Sequence, residues 1–122
     1  MTTKLELAQM AQKNVFPAKA LEELYMLEGF KTENHINPAT KITFTGYNKY
    51  QLELEYLLNG YNSCEWSTFN QYKADNKMIK KGSKGTKLTL AVHNKEKNEQ
   101  GQEVDKLKFF KGYTVFNKEQ VQ

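Results

Sequence analysis

The residues whose types and spacing most clearly suggest chemistry are lysines. Residues 73–87 (KADNKMIKKGSKGTK) hold six lysines and one aspartate in fifteen positions. The part from residue 80 to 87, termed the lysine turn, places cations and flexible glycines together, so that successive backbone N–H groups can point at a phosphate. The GxxxxGK[ST] spacing of a nucleotide-binding P-loop is absent. The segment therefore indicates either a phosphate-contacting turn or a solvated β-turn whose lysines confer solubility.

Aromatic residues flank the lysine turn in the sequence. Trp66, Phe69 and Tyr72 precede it, and Phe110 and Tyr113 follow it. Exposed rings beside lysines form the stacking platform and positive groove that single-stranded nucleic acids favour. Most of the seven tyrosines, seven phenylalanines and one tryptophan must nonetheless fill the core. We therefore expect only a few exposed rings, and Trp66 remains open to two interpretations, a packing residue beside a helix cap or a base platform.

No set of residues predicts a catalytic or metal centre. His35 and His93 are the only histidines and Cys64 is the only cysteine, so the ligand spacing of a zinc site is missing. Glu53 and Glu55 are predicted on different faces of a helix, which favours surface charge over an acid/base pair. A nucleophilic Cys64–His site has no support beyond residue identity. We expect no enzymatic activity, no catalytic residue, no metal and no cofactor.

Charge and composition narrow the class of partner. The net charge of the 122 residues is +4, with six lysines and eight acids in residues 1–65 but twelve lysines and six acids in residues 66–122. A basic half favours a polyanionic partner. Every cation is a lysine, which binds phosphate as a mobile point charge, whereas arginine reads guanine with a planar fork. An AT-rich genome would produce the same bias toward lysine.

The expected compartment is the cytoplasm. No apolar run approaches the length needed to cross a bilayer, so we expect no membrane partner. Residues 1–14 (MTTKLELAQMAQKN) lack the apolar core of a signal peptide. The lone Cys64 permits no intramolecular disulfide, which suits a reducing compartment. The length corresponds to a single domain.

Helices are expected to dominate the N-terminal half. Four are predicted, over residues 3–13, 17–28, 47–59 and 68–76. Pro17 suits a first helical turn, and Gly29 suits the end of the same helix. Thr68 followed by Gln71 forms a capping box at the start of the last one. The segment between the second and third helices is polar and rich in turn residues.

Strands are expected to follow. Apolar and polar residues alternate over residues 87–93, and residues 106–117 form a second strand in which Gly112 suits a bulge. The charged residues 94–105 between them predict a mobile hairpin loop, and residues 78–79 add a short third strand. The order of elements predicts an α+β fold, in which N-terminal helices pack on a small antiparallel sheet built around a C-terminal β-hairpin.

Three ordered strings resemble the N-terminal domain of the ArdC-type antirestriction proteins. Residues 37–40 (NPAT) and 45–48 (TGYN) are similar to that family's NPxTGxxYxGxN pattern. Trp66-x-Thr68-x-x-Gln71, with IKKGSKG at residues 79–85, is similar to WxTxxQ...VRKGEKG. VFNKEQ at residues 115–120 is similar to VFNxEQ. The strings span residues 34–120, and residues 1–30 are interpreted as a helical extension without a clear match.

The resemblance implies a cytoplasmic protein of plasmids, phages or other mobile elements that binds single-stranded DNA. Full-length relatives add a zincin-like metallopeptidase domain, whereas residues 1–122 are interpreted as a single ArdC-N-like domain without it. Lys80 and Ser83 stand where the family has arginine and glutamate, and Lys41-Ile42 replaces a turn that contains glycine. The positive charge at position 80 is kept, while the donor fork of arginine is not.

The leading interpretation is non-sequence-specific binding of single-stranded DNA. The residues predicted to contact phosphates are Lys80, Lys81, Lys84 and Lys87. Those predicted to stack on bases are Tyr113, Trp66 or Tyr47, and those predicted to bond nucleotides or to lock loops are Asn48, Gln71 and Asn117. The alternative is an interaction module that docks a restriction, conjugation or phage protein through its helical face. A DNA mimic fits poorly, because mimicry of phosphates requires strong negative charge.

Overall fold

The computed structural model describes residues 2–122. The elements follow in the order α1 (Lys4–Ala11), α2 (Pro17–Glu28), β1 (Ile36–Asn37), β2 (Ile42–Thr43), α3 (Gly46–Leu58), β3 (Trp66–Ser67), α4 (Phe69–Ala74), β4 (Thr86–Lys97) and β5 (Glu103–Asn117), with a final 3-10 turn at Lys118–Gln120. This mixture of helices and antiparallel strands confirms the predicted α+β class. Within residues 2–122, the helices are too short or too polar to span a lipid bilayer.

Helices α1, α2 and α3 pack on one another around the first of two apolar clusters. Its buried residues are Leu7, Ala8, Ala11, Leu21, Tyr25 and Leu54. Local signals set the helix ends: the Thr3 side chain accepts a hydrogen bond from the Glu6 N–H at the start of α1, and Pro17 lies in the first turn of α2. Gly29, with φ of 74°, ends α2 in the left-handed conformation that glycine adopts without steric cost.

The second cluster joins α3 to the main sheet, whose strand order is β3-β5-β4. Leu52 of α3 packs with Trp66, Leu88 and Val115, which all come from the strands. Leu52 and Leu54 are both buried, although they belong to different clusters. Helix α3 therefore lies between the helical layer and the sheet, and it fixes the position of one relative to the other.

Strands β4 and β5 extend into a long antiparallel arm, defined here as residues 90–111. The pairing continues to Lys97 opposite Glu103, so the prediction of a mobile loop over residues 94–105 was wrong for most of that segment. Both faces of a two-stranded arm meet solvent, and its pairing therefore needs no apolar alternation. An irregularity lies between Val92 and His93 and leaves Lys108 as the extra residue, whereas Gly112 pairs regularly, contrary to the predicted bulge there.

The third strand of the sheet is β3, which pairs with β5 through Trp66 opposite Asn117. The strand predicted at residues 78–79 is reduced to a single bridge between Ile79 and Val121. The turn-rich segment before α3 contains a two-residue hairpin of β1 and β2 that was not predicted. This hairpin places residues 40–45 beside the base of the arm, where they border a groove.

Candidate nucleic-acid interface

A buried polar cluster is centred on Glu53 of α3. Glu53 has no exposed surface, and its carboxylate accepts hydrogen bonds from the Tyr25 hydroxyl at 2.6 Å, the Glu33 N–H at 3.1 Å and His35 Nε2 at 2.8 Å. Lys4 Nζ lies 3.8 Å from the same group. The prediction that Glu53 is a surface charge was therefore wrong, because partners distant in the sequence satisfy the carboxylate inside the core.

Trp66 belongs to the core and cannot stack on a base, because its side chain has no exposed surface. Its Nε1–H donates to His35 Nδ1 at 3.0 Å, and its ring meets Tyr61 edge to face. The prediction of a base platform at Trp66 is corrected on this ground. The structure agrees with the other interpretation, in which Trp66 is a packing residue beside a helix cap.

Two of the three amide side chains predicted to bond nucleotides or to lock loops, Asn48 and Asn117, form hydrogen bonds with the backbone. Asn117 is fully buried, its Nδ2 donates to the Ser63 carbonyl at 2.7 Å, and its Oδ1 accepts from the Glu119 N–H at 2.9 Å. Asn48 Nδ2 donates to the Thr89 carbonyl at 2.8 Å, and Asn48 Oδ1 accepts from the Thr89 N–H at 3.1 Å. Asn48 thus joins the first turn of α3 to the free edge of β4, and the buried side chain of Asn117 is out of reach of a nucleotide.

Gln71 differs from the other two amides because only its oxygen is engaged. Oε1 accepts from the Thr68 N–H at 2.9 Å and from Asn37 Nδ2 at 3.0 Å, which completes the predicted capping box of α4. The residue is partly exposed, and it lines a groove with Asn37 and Thr68 as well as a smaller hollow with Ser67 and Tyr72. Gln71 therefore locks a loop with one end of its amide and faces an open space with the rest of the side chain.

An open cavity of about 440 Å³ lies beside the joint between α3 and β4, and it is termed the aromatic cavity. Tyr47 and Phe110 both line it, together with Thr89 and Ala91. Tyr47 is 50% exposed and Phe110 is 65% exposed. Two large rings that the core does not use therefore meet around one opening, although they are far apart in the sequence.

A groove of about 510 Å³ lies between the β1–β2 hairpin and the base of the arm. Ile42, Phe44 and Leu90 form apolar walls, and Lys111 and Tyr113 stand among them. Burial raises the pKa of the Tyr113 hydroxyl, so this group stays protonated at neutral pH and can donate a hydrogen bond. Thr45 and Asn48 line both this groove and the aromatic cavity, so the two are neighbours.

The lysine turn lies at the opposite end of α3 from the aromatic cavity. Lys80, Lys84 and their neighbours border a separate hollow that also includes Glu55 and Asn59 near the end of the helix. Helix α3 has thirteen residues, a length of about 20 Å. Lys80 Nζ donates to the Glu119 carbonyl at 3.1 Å. The structure therefore does not place the predicted lysines and rings in one pocket.

Lys87 is the last residue of the lysine turn and the only one of its lysines that belongs to β4. It is exposed on β4, and since side chains alternate along a strand, it lies on the same face as Thr89 and Ala91, which line that cavity. Lys81 and Lys84 are also exposed, and they precede β4 in the sequence. Of the predicted phosphate contacts only Lys87 belongs to β4, while the exposed rings come from α3 and β5, an arrangement that sequence reasoning did not anticipate.

Gly85 fixes the end of the lysine turn against the sheet. A Cβ at this position would overlap Thr114 Cγ2 and would lie 3.0 Å from Phe116 Cζ. Gln120 Nε2 donates to the carbonyl of the preceding Lys84 at 2.8 Å. The turn is thus held by close packing on one side and by a hydrogen bond on the other.

The acidic and metal-binding side chains do not converge. In the part of the chain that the structure describes, residues 2–122, no group of three or more His, Cys, Asp or Glu residues is arranged to hold a metal ion. Burial raises the pKa of the Cys64 thiol, so the nucleophilic thiolate is disfavoured at neutral pH. The chemistry that the surface offers is therefore stacking, hydrogen bonding and attraction of anions.

Comparisons with known proteins agree with this architecture. A family model described as the N-terminal domain of anti-restriction factor ArdC matches residues 19–116. The chain is similar to the metal-free crystal structure of the antirestriction ArdC protein from R388 plasmid, with 24% identity and a TM-score of 0.61 over 95% of this chain and 41% of that one. The Mn(II)-bound structure gives 22% identity and a TM-score of 0.57, over 94% and 40%. No curated protein matches.

Proposed function

The chain belongs to the family of N-terminal domains of the anti-restriction factor ArdC, and we propose that it binds single-stranded DNA in an antirestriction role that protects the DNA of a mobile element. It spans about two fifths of the length of the ArdC structures it resembles. The proposal therefore does not extend to the activity of the full-length ArdC proteins. The proposal concerns the surface formed by the aromatic cavity, the groove and the lysines of β4.

The observation that carries the proposal is the meeting of Tyr47 and Phe110 at one open cavity. Single exposed apolar residues are common, whereas exposed rings that meet at one opening form the kind of apolar patch that marks a binding site. Exposed rings stack on unpaired bases of any sequence, whereas the bases of a duplex already stack on each other. The geometry therefore favours a single strand over a duplex.

Lysines supply the remaining attraction. Lys84 and Lys87 lead along the chain toward the aromatic cavity, and Lys111 stands in the adjoining groove. Because all eighteen cations are lysines, they attract the phosphate backbone without the bidentate contacts by which arginine reads guanine. We propose that binding tolerates most sequences, since phosphate and stacking contacts are available on every strand.

Fluorescence anisotropy with a labelled, unstructured oligonucleotide tests the function directly. The association constant should fall by roughly 0.7 log unit per log unit of salt for each phosphate contacted. A duplex of the same sequence and an RNA strand serve as controls, and the duplex should bind more weakly. Tight binding that does not respond to salt, or a preference for the duplex, would overturn the proposal.

We further propose that the domain acts without catalysis, metal or cofactor. Support comes from Glu53 and His35, which are hydrogen-bonded to each other and fully buried in the core. They are therefore not accessible to a substrate or a metal ion. Elemental analysis of the purified protein and a peptidase assay test this statement. A transition metal bound in a one-to-one ratio, or hydrolysis that tracks the purified protein, would overturn it.

A second candidate function is an interaction module for a restriction, conjugation or phage protein. Large apolar side chains stand free on the helical side, with Val15 87%, Phe16 69% and Leu27 84% exposed. Substituting Phe16 and Leu27 with serine separates the two functions. Loss of protection of incoming DNA with unchanged DNA binding would favour the interaction module, whereas unchanged protection would favour DNA binding.

A further inference from the structure

The carboxamide of Gln71 is fixed in one orientation. Its Oε1 receives two N–H donors, from the Thr68 backbone at 2.9 Å and from Asn37 Nδ2 at 3.0 Å. Exchanging the oxygen and nitrogen of the amide would set an NH2 group against both donors, which excludes the flipped orientation. Within residues 2–122, Nε2 has no hydrogen-bond acceptor. Gln71 therefore offers a free donor of known direction relative to the capping box.

The oxygens of the neighbouring amides in the groove already accept hydrogen bonds from the backbone. Asn37 Oδ1 accepts from the Ala39 N–H at 3.0 Å, and Asn48 Oδ1 accepts from the Thr89 N–H at 3.1 Å. The ammonium group of Lys111 can only donate. Threonine hydroxyls in the groove can both donate and accept, so they do not favour one kind of base edge over another. Among residues 2–122, Gln71 Nε2 and the Lys111 ammonium are thus donors that line the groove and have no hydrogen-bond acceptor.

The lining of the groove suits a flat ring. Ile42, Phe44 and Leu90 provide apolar walls, and the volume of about 510 Å³ falls in the range of sites that enclose small organic groups. A phosphate has no apolar face to bury against such walls, whereas a nucleobase buries two. A base whose edge carries acceptors would satisfy both the walls and the donors.

We propose that the groove receives one base of the bound strand and that Gln71 makes it prefer keto bases, thymine or guanine, over adenine or cytosine. The exocyclic oxygen of a keto base accepts a hydrogen bond from Gln71 Nε2. An exocyclic amino group at the same place is itself a donor, so it cannot form this bond. This inference rests on the proposed function. A preference at one subsite is compatible with broad binding, because the stacking and phosphate contacts elsewhere accept any base.

The test compares oligo(dT) with oligo(dC) of equal length at pH 8, where cytosine is unprotonated. Both are pyrimidine strands with the same phosphates, but thymine also carries a C5 methyl group. Oligo(dU), which lacks the methyl group, is therefore measured alongside and should show the same preference over oligo(dC). One neutral hydrogen bond corresponds to about three- to tenfold tighter binding of oligo(dT). A ratio near one in the wild-type protein would overturn the inference, because a phosphate in the groove predicts equal binding.

Gln71→Glu is the diagnostic variant, because a carboxylate still accepts from Thr68 and Asn37 but replaces the Nε2 donor with an acceptor. It should abolish or invert the oligo(dT) preference. Asn70→Asp adds the same charge at the exposed neighbouring residue, and it should weaken both strands alike and keep the ratio. A ratio that survives in Gln71→Glu would overturn the inference. Absence of any binding to single strands would instead overturn the proposed function.

Discussion

The indole N–H of Trp66 donates a hydrogen bond to Nδ1 of His35 over 3.0 Å in the buried core. A nitrogen that accepts a hydrogen bond carries no proton, so the ring proton of this tautomer lies on Nε2. Nε2 in turn donates to Glu53 Oε1 at 2.8 Å. The chain of donors thus runs in one direction, from the tryptophan through the imidazole to the carboxylate.

Glu53→Gln should destabilise the protein by about 3 kcal/mol, because three donors converge on the carboxylate and an amide leaves at least one of them facing an NH2 group. Urea denaturation followed by circular dichroism measures the change. Glu55→Gln, two residues away and partly exposed, is the matched control and should stay within about 0.5 kcal/mol of wild type. Equal losses in the two variants would contradict the assigned network.

Stability should fall in acid because of the same carboxylate. Burial alone would raise the pKa of Glu53, but hydrogen bonds from His35 and Tyr25 outweigh burial and lower this pKa below the usual 4.5. A lowered folded pKa means that the stabilisation is present above about pH 4.5 and is lost as the pH falls through the folded value. Urea midpoints measured at descending pH should show this loss, and Glu53→Gln should flatten it.

Gly85→Ala should destabilise the fold by about 1 to 3 kcal/mol, because the added methyl group overlaps Thr114 against a packed strand. Gly82→Ala supplies the comparison within the same turn. A Cβ there meets no atom within 4 Å, and the cost arises from a φ of +84°, about 1 kcal/mol. Thermal denaturation of both variants gives the order, and a larger loss in Gly82→Ala would contradict the packing described here.

Tyr47→Ala and Phe110→Ala should each weaken binding of single-stranded DNA by about 1 to 3 kcal/mol, the value of stacking one base on an aromatic ring. Both rings are exposed, so the melting temperature should hardly change. The salt dependence should also stay the same, because no charge is removed. Phe69→Ala removes a ring that is 55% exposed and lines neither the cavity nor the groove, and it should bind like wild type.

Replacing Lys81 and Lys84 together with alanine should leave folding nearly intact, because exposed lysines contribute little to stability. The variant should lose about two phosphate contacts, bind all sequences more weakly and flatten the salt slope by roughly 1.4. Lys13→Ala with Lys19→Ala makes the same charge change on the helical side and should have a smaller effect. A double variant of the lysine turn that binds like wild type would show that it is only a surface loop.

Local signals made much of the fold predictable. The Thr68–Gln71 capping box and the pair of Pro17 and Gly29 mark helix ends through contacts within a few residues. The alternation that predicts β4 is equally local. Charged residues 94–105 misled the prediction because composition does not reveal pairing between two exposed strands.

Long-range contacts were not predictable in the same way. Helical spacing gives the face of Glu53 but cannot show that Tyr25, 28 residues earlier, will satisfy it in the core. The aromatic cavity forms because Asn48 docks α3 on β4 and so brings Tyr47 to Phe110. The family pattern pointed to Tyr47 and Asn48, whereas no local signal linked either of them to the arm.

The paired hydrogen bonds between Asn48 and Thr89 also limit how far another chain can pair with the edge of β4. β4 is an edge strand, and the outward N–H and C=O groups of such a strand can pair with another chain. The Asn48 side chain occupies both groups of Thr89, as one residue of a neighbouring strand would. A foreign strand that pairs along the arm therefore stops at Thr89, and the buried part of β4 around Leu88 is closed to it.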